Sequence, residues 1–309
     1  MNLLITGGCG FIGSHLVEKL STHFNKIFII DNLITGKIDN IQPFLSNNII
    51  FIKGDLTDLN FLKNFFSTYH IDIINHQAAL GSVPRSIIDP LSTHNNNVNA
   101  FINLLICCKD FNIKRFVYAS SSSVYGDEDT LPKTENKTGQ LLSPYAVSKK
   151  IDELYAHIFF KTYNIETIGL RYFNVFGKRQ DPNGPYSAVI PRFVNLMKNN
   201  QDIIINGDPN FSRDFTYIDN VVQANLKALT TKNNLVFGDV INICAGGNIT
   251  LTQLIDTLKT HINTSSNTII GPYRQGDIPH SFGNFSKANE LIDYYPHIDF
   301  FQGIKLMLS

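Results

Sequence analysis

Three observations predict an α/β fold built on a doubly wound parallel sheet. Apolar, β-rich runs recur at 2–6, 27–30, 49–52, 71–75, 115–119 and 165–170, and most are separated by enough residues for a crossover helix. The first run leads straight into GGCGFIG, which places Gly7, Gly10 and Gly13 in a Gly-x-x-Gly-x-x-Gly spacing before helical periodicity begins at Ile12, Leu16, Val17 and Leu20. The second run, IFII, ends at Asp31.

Strand, glycine turn and helix start together form a phosphate cradle. The early glycines permit a tight turn and close backbone approach to a pyrophosphate, and the last lets the helix pack on its strand. An acid at the end of the second strand accepts hydrogen bonds from an adenosine ribose, which gives Asp31 its expected place. The reading is a Rossmann dinucleotide site.

Further along, helix signals are clearest at 95–110 and 145–163. In the second, Ser143 suits the N-cap, Pro144 the first helical position, and Val147, Ile151, Leu154, Tyr155, Ile158 and Phe159 make an apolar stripe. After about residue 172 the pattern turns irregular, with turn signals at DPNGPY (181–186), GDPNFS (207–212) and GGN (246–248). A smaller C-terminal α/β substrate domain is expected to begin there, with a seventh core strand near Val240–Ile243 returning to the first sheet. The expected division is therefore interleaved, with 1–171 plus about 215–245 holding the dinucleotide and about 172–214 plus 246–309 holding substrate.

Composition narrows the function classes. The chain has 309 residues, 43% of them hydrophobic, enough for a large core. Lys plus Arg and Asp plus Glu both total 26, so no global basic field recruits nucleic acid or an anionic membrane, and an acidic ligand must be held by local arginines. With neither a leader pattern nor a membrane-length apolar stretch in the sequence, a cytoplasmic protein is expected. Cys9, Cys107, Cys108 and Cys244 lack metal-ligand spacing and are read as reduced and buried, with no metal site.

Candidate chemistry centres on Tyr145 and Lys149. Their i, i+4 spacing puts both on one helix face, where an ammonium beside a phenol favours the phenolate and makes a general base. Upstream, Ser120, Ser121, Ser122 and Ser123 stand at the carboxyl end of an expected strand, where open α/β sheets place their ligands and hydroxyls can hold a reacting oxygen.

Taken with these motifs, nearly the whole chain resembles the extended short-chain dehydrogenase/reductase family, and within it the nucleotide-sugar 4-epimerases. The resemblance rests on GGCGFIG, DNLITG (31–36), GDLTD (54–58), HQAALGSVPRS (76–86), NNNVNA (95–100), SSSSVYG, YAVSK, RYFNVFG (171–177), INGD (205–208), RDFTYIDN (213–220) and RQGDIPHS (274–281). HQAALGSVPRS with RYFNVFGKRQDPNGPYSAVIPRF is most similar to the bacterial UDP-N-acetylglucosamine 4-epimerases that prefer N-acetylated sugars and serve polysaccharide and lipopolysaccharide precursor synthesis.

The resemblance implies a tightly bound NAD, recycled within each turnover. Gly7, Gly10, Phe11, Ile12 and Gly13 would hold its pyrophosphate, Asp31 its adenosine ribose, and Asp55 and Leu56 would border its adenine, with Asn32 and Gly36 also contacting the cofactor. Gln77, Ala78 and Ala79 would line its path, with Asn97 and Phe173 beside it and Lys149 at the nicotinamide ribose. Tyr145 would be the catalytic base, with Lys149, Ser121 and Ser123 completing the catalytic set. The UDP-sugar would meet Gly81, Ser82, Ser121, Ser122, Ser123, Asn174, Ala188, Val189, Asn206, Arg213, Arg274, Asp277 and Ser281. Forked arginines suit a pyrophosphate in a way lysine does not.

One departure within the superfamily points to the reaction. Dehydratases carry Asp and Glu, and decarboxylases usually Glu, in the stretch occupied here by Ser122 and Ser123; serine is a poor acid and base for elimination. The implied reaction is redox-neutral inversion at C4 through a 4-keto sugar, interconverting UDP-GlcNAc and UDP-GalNAc. UDP-glucose, UDP-glucuronate or an N-acetylhexosaminuronate remain alternative substrates, and an NAD-sensing protein without chemistry is the non-enzymatic alternative. Ser281 replaces a bulky tyrosine found in relatives restricted to plain hexoses, leaving room for an acetamido group. The family also pairs subunits through helices like 95–110 and 145–163, so a homodimer is expected.

Overall fold

The computed structural model describes residues 1–183, 187–273 and 278–309. Its first half alternates strand and helix: β1 (Asn2–Thr6), α1 (Phe11–Leu20), β2 (Lys26–Asp31), β3 (Ile49–Lys53), α2 (Leu59–Thr68), β4 (Ile73–His76), the short α3 (Val83–Ile88) and α4 (Pro90–His94), α5 (Ala100–Asp110), β5 (Arg115–Ser121), α6 (Pro144–Tyr163) and β6 (Glu166–Tyr172). Beyond it come β7 (Val175–Phe176), α7 (Val189–Lys198), β8 (Ile203–Asn206), β9 (Ser212–Arg213), β10 (Thr216–Tyr217), α8 (Ile218–Thr230), β11 (Asp239–Ile243), β12 (Ile249–Thr250), α9 (Leu251–His261), β13 (Thr268–Gly271), β14 (His280–Ser281), α10 (Ser286–Ile292) and α11 (Phe300–Leu308).

Seven strands form one sheet in the order β11-β6-β5-β4-β1-β2-β3, every pairing parallel. Alternate residues feed opposite faces. Leu3, Ile5, Ile27 and Ile29 pack with Leu16 and Val17 of α1 and Val221 of α8 on one side; Leu4, Phe28, Ile74 and Phe116 pack with Phe65 of α2 and Leu104 of α5 on the other. Strand order reverses between β1 and β4, which opens a crevice at the carboxyl edge of the sheet. The later strands form three small sheets, β7 with β10, β8 with β13, and β9 between β12 and β14.

Each expected strand is present, including the seventh, which pairs Asp239–Ile243 with Ile168–Tyr172. The expected helix at 95–110 instead opens with a π-helical turn at Asn95–Asn99, and α5 begins at Ala100. The α6 start is as expected, with the Ser143 hydroxyl accepting from Ala146 N at 3.1 Å.

The inward face of α6 is the polar one. Ser148, Lys149, Asp152 and Glu153 are buried, whereas Val147, Leu154, Tyr155 and Ile158 are exposed. Burying charge on the sheet side is feasible because each group finds a partner there: Lys149 pairs with Asp152 at 3.2 Å, and Glu153 with Arg171 of β6 at 2.8 Å. The exposed stripe adjoins Ile87, Ile88 and Leu91, also exposed, on α3 and α4, which pack along α6. All four cysteines are free and buried, and no helix among the described residues is long and apolar enough to cross a membrane.

Candidate active site

At the end of β1 the chain turns through Gly7 at φ +67°, and a Cβ there would sit 2.6 Å from the Ala78 nitrogen. A Cβ on Gly13 would lie 2.1 Å from the Gly7 carbonyl oxygen, so the first turn of α1 rests directly on the loop. Gly10 occupies the N-cap with no side chain to cap the helix, leaving its amino end open to an anion. A cavity of about 270 Å³ opens over this cradle, and it gathers Gly7, Gly10, Phe11, Ile12, Gly13, Asp31, Asn32, Asp55, Leu56, Gln77, Ala78, Ala79 and Gly81. The Asp31 carboxylate accepts from Cys9 N at 2.9 Å and Leu33 N at 2.8 Å, which aims it along the cavity wall, and Asn32 donates to Asp55 at 3.2 Å. A glycine cradle, a helix N-terminus and a carboxylate across one cavity fit a dinucleotide.

Two residues expected beside that cofactor serve the walls. Asn97 is fully buried, accepts from Leu80 N at 2.8 Å and donates to Ser148 at 3.0 Å, tying the 80–82 loop to α6. Phe173 is also fully buried, packed with Tyr125, Cys244 and Phe285. The cavity takes Asn96 as lining instead.

A second cavity of about 310 Å³ lies beyond the sheet edge and brings together Asn174, Ala188, Val189, Asn206 and Arg213. Ser281 is half-buried and pairs with Arg213 across β14 and β9. Between the two cavities runs a wider groove lined by Gly36, Gly81, Ser82, Arg85, Arg179, Gln180, Ser187 and Ala188. Arg274 and Asp277, the other expected diphosphate contacts, lie outside the described residues.

The candidate catalytic groups stand at the same edge of the sheet. Ser121 ends β5, and its hydroxyl accepts from Ser123 N at 3.1 Å to start the turn that carries Ser122 and Ser123. Among the described residues, the buried Ser123 hydroxyl has no partner, a vacancy of the kind a ligand oxygen fills. Tyr145, half-buried in the first turn of α6, makes no side-chain hydrogen bond among the described residues, so its phenol is available to a substrate.

Behind the serine turn is a buried polar web. Ser120 donates to Glu153 at 2.7 Å, Glu153 takes two bonds of 2.8 Å from Arg171, and the Arg171 guanidinium lies 4.9 Å over the Tyr125 ring. Tyr125 in turn donates to Asn242 of β11 at 2.5 Å. This web fixes the serine turn to three strands and α6.

Sequence patterns did not disclose two arrangements. Arg179, at φ +65°, pairs with Glu18 and reaches His15 at 2.8 Å and Asn40 O at 3.2 Å, while Lys37 meets Asp181 at 3.0 Å; together they pin the 178–181 segment against α1 and the 33–40 loop. Such long-range ties leave no local signal. Asp152 beneath Lys149 is the other, and its spacing from Tyr145 could have revealed it.

The sequence matches the NAD dependent epimerase/dehydratase family over residues 3–244. The chain belongs to this family. It is 37% identical to the structure of a UDP-N-acetylglucosamine 4-epimerase from Methanobrevibacter ruminantium M1 in complex with UDP-N-acetylmuramic acid, with a TM-score of 0.92 over 99% of this chain and 96% of that one. The UDP-glucose 4-epimerase of Thermotoga maritima, solved with UDP-glucose, is 32% identical with a TM-score of 0.93, covering 100% of this chain and 97% of that one. A UDP-glucuronic acid 4-epimerase from Bacillus cereus, solved with UDP-glucuronic acid and NAD, is 32% identical with a TM-score of 0.90, covering 100% and 98%. The family is NAD dependent, and the first cavity has the lining that a dinucleotide needs.

Proposed function

We propose that the protein is an NAD-dependent UDP-sugar 4-epimerase whose preferred pair is UDP-GlcNAc and UDP-GalNAc. The observation that carries this reading is the convergence at one sheet edge of the Tyr145 phenol and the Ser123 hydroxyl, neither bonded among the described residues, and the dinucleotide cradle. NAD, when bound, supplies a hydride acceptor that returns the same hydride to C4. Tyr145 as phenolate takes the O4 proton and later gives it back, while Ser121 and Ser123 hold the oxygen as it becomes a ketone. Arg213, with Arg274 and Asp277, anchors the uridine diphosphate so that the loosely held 4-keto hexose can turn over between the two transfers. Residues 1–171 with 215–245 serve NAD, and 172–214 with 246–309 serve the UDP-sugar.

Ser281 supports the acetylated pair: it is a small side chain on the strand that pairs with that of Arg213, and Arg213 lines the second cavity. The 37% identity to a UDP-N-acetylglucosamine 4-epimerase supports it as well. The exposed apolar stripe of α6, continued by α3 and α4, supports a homodimer built on these helices; α5 turns its apolar residues inward.

The test is to incubate purified protein, without added NAD, with UDP-GlcNAc, UDP-glucose and their C6 uronates in parallel, alongside Tyr145→Phe. Conversion fastest with UDP-GlcNAc, and lowered about a hundredfold to ten-thousandfold by Tyr145→Phe, is expected. Preference for a uronate or plain hexose would overturn the substrate assignment, and an active Tyr145→Phe would overturn the base.

A further inference from the structure

Arg179 joins the segment after β7 to two walls of the dinucleotide cavity. It stands at φ +65°, a left-handed conformation that costs a residue with a Cβ and that glycine would adopt freely. Its side chain offsets that cost through many partners. The guanidinium donates to the Glu18 carboxylate, to His15 Nδ1 at 2.8 Å, to the Asn40 carbonyl at 3.2 Å and to the Ser14 carbonyl at 3.4 Å, and it lies 5.6 Å over the Phe44 ring. The buried His15 completes the tie: with its Nδ1 accepting from Arg179, its Nε2–H donates to the Lys178 carbonyl at 2.8 Å.

These partners belong to the cofactor side of the molecule. Ser14, His15 and Glu18 lie along α1, whose first residues Phe11, Ile12 and Gly13 line the dinucleotide cavity. Asn40 and Phe44 follow β2 in the stretch whose Ile34 and Thr35 line the same cavity. That stretch is bound in turn to the glycine turn, because the Cys9 carbonyl accepts from Lys37 N at 3.0 Å and from Asn40 Nδ2 at 2.9 Å. Residues 33–37 and 179–183 line one groove, and a second tie joins these segments at the surface, where Lys37 Nζ meets Asp181 at 3.0 Å. The surface tie is exposed and screened by salt, so the Arg179 tie carries more of the hold.

We propose that Arg179 is a positioning residue that retains NAD: by fastening the 178–181 segment onto α1 and the 33–40 loop, it holds the wall of the dinucleotide cavity in place, and the cofactor leaves only when this fastening opens. The proposal rests on the redox-neutral reading of the site, in which one NAD serves turnover after turnover. A guanidinium suits the task, because its planar fork reaches a carboxylate, an imidazole nitrogen and two carbonyls at once, which a single ammonium does not.

Arg179→Met removes every polar bond of the side chain, Arg179→Gly does so while relieving the backbone, and Arg179→Lys keeps the charge beside Glu18 but loses the fork. Each protein as purified is diluted into NAD-free buffer, and the NAD remaining per chain is assayed after gel filtration at timed intervals. Release from the methionine and glycine variants should be about tenfold faster than from wild type or more, the loss expected for charge-assisted hydrogen bonds, with the lysine variant between. Melting temperatures measured at saturating NAD should stay close to that of wild type, which a residue that merely supports the fold would not allow. If the Arg179 variants yield no folded protein, Glu18→Gln removes the counter-charge of Arg179 and gives the same comparison. Unchanged release, or a melting temperature that falls at saturating NAD along with faster release, overturns the role of Arg179. Wild type that carries no NAD as purified overturns instead the reading of a cofactor recycled in place.

Discussion

Replacing Glu153 by glutamine probes the web that holds the serine turn. Glu153 is 6% exposed and Arg171 1% exposed, and the carboxylate takes two bonds of 2.8 Å from the guanidinium and one of 2.7 Å from Ser120. The amide removes the charge and turns an N–H donor toward another donor, so a buried guanidinium loses its counter-charge. Breaking one side of such a pair costs about 3–5 kcal/mol. At about 2 °C per kcal/mol for a chain of this length, the melting temperature should fall by about 6–10 °C. The pH dependence adds a signature. Burial pushes the Glu153 carboxyl up, but Arg171 and Ser120 outweigh burial and leave it below the ordinary range. A lowered folded-state pKa contributes stability above the unfolded value of about 4.3 and loses it as pH falls through the folded value. Wild type and variant should therefore differ fully at pH 7 and by less at about pH 3, the difference closing only as pH falls through the lowered folded-state value. Urea denaturation followed at both pH values measures this. A loss under about 1 kcal/mol at pH 7, or an equal loss at both pH values, would refute the reasoning.

Other perturbations address separate parts of the molecule. Gly7→Ala sets a Cβ 2.6 Å from the Ala78 backbone at a positive φ, and the purified protein should carry far less NAD on denaturation than wild type. Ser281→Tyr should lower kcat/KM for UDP-GlcNAc more than for UDP-glucose by at least tenfold, whereas an unchanged ratio removes Ser281 from the specificity argument. Ile158→Asp, at a position 54% exposed, should leave the fold intact yet shift sedimentation from the proposed dimer to a monomer; an unchanged sedimentation coefficient would remove this helix face from the dimer proposal.

The parallel sheet and the cofactor cradle were legible because each rests on local pattern. Apolar runs of strand length, a glycine spacing and an acid at a strand end are all contiguous, and Gly7, Gly10, Gly13 and Asp31 line one cavity. Legibility declines where partners come from distant strands. The apolar stripe of α6 has the right period for a core face, yet the helix buries Lys149, Asp152 and Glu153, because Arg171 waits on β6 and Lys149 and Asp152 pair with each other. Periodicity shows that a helix has two faces and cannot show which one meets the sheet when charges are paired. Asn97 illustrates the same limit: its motif marks the cofactor side, while its amide holds the Leu80 backbone and Ser148. The π-helical turn at Asn95–Asn99 likewise has no signature in side-chain spacing.

The central claim is a redox-neutral inversion in which the hydride taken from C4 returns to C4 of the same sugar. UDP-GlcNAc carrying deuterium at C4 tests it most directly, with the protein alone, no added NAD, and mass and NMR analysis of the product. The account predicts UDP-GalNAc that keeps the full label at C4. Loss of the label to solvent, or product formed only when NAD is supplied as a stoichiometric reagent, would contradict it.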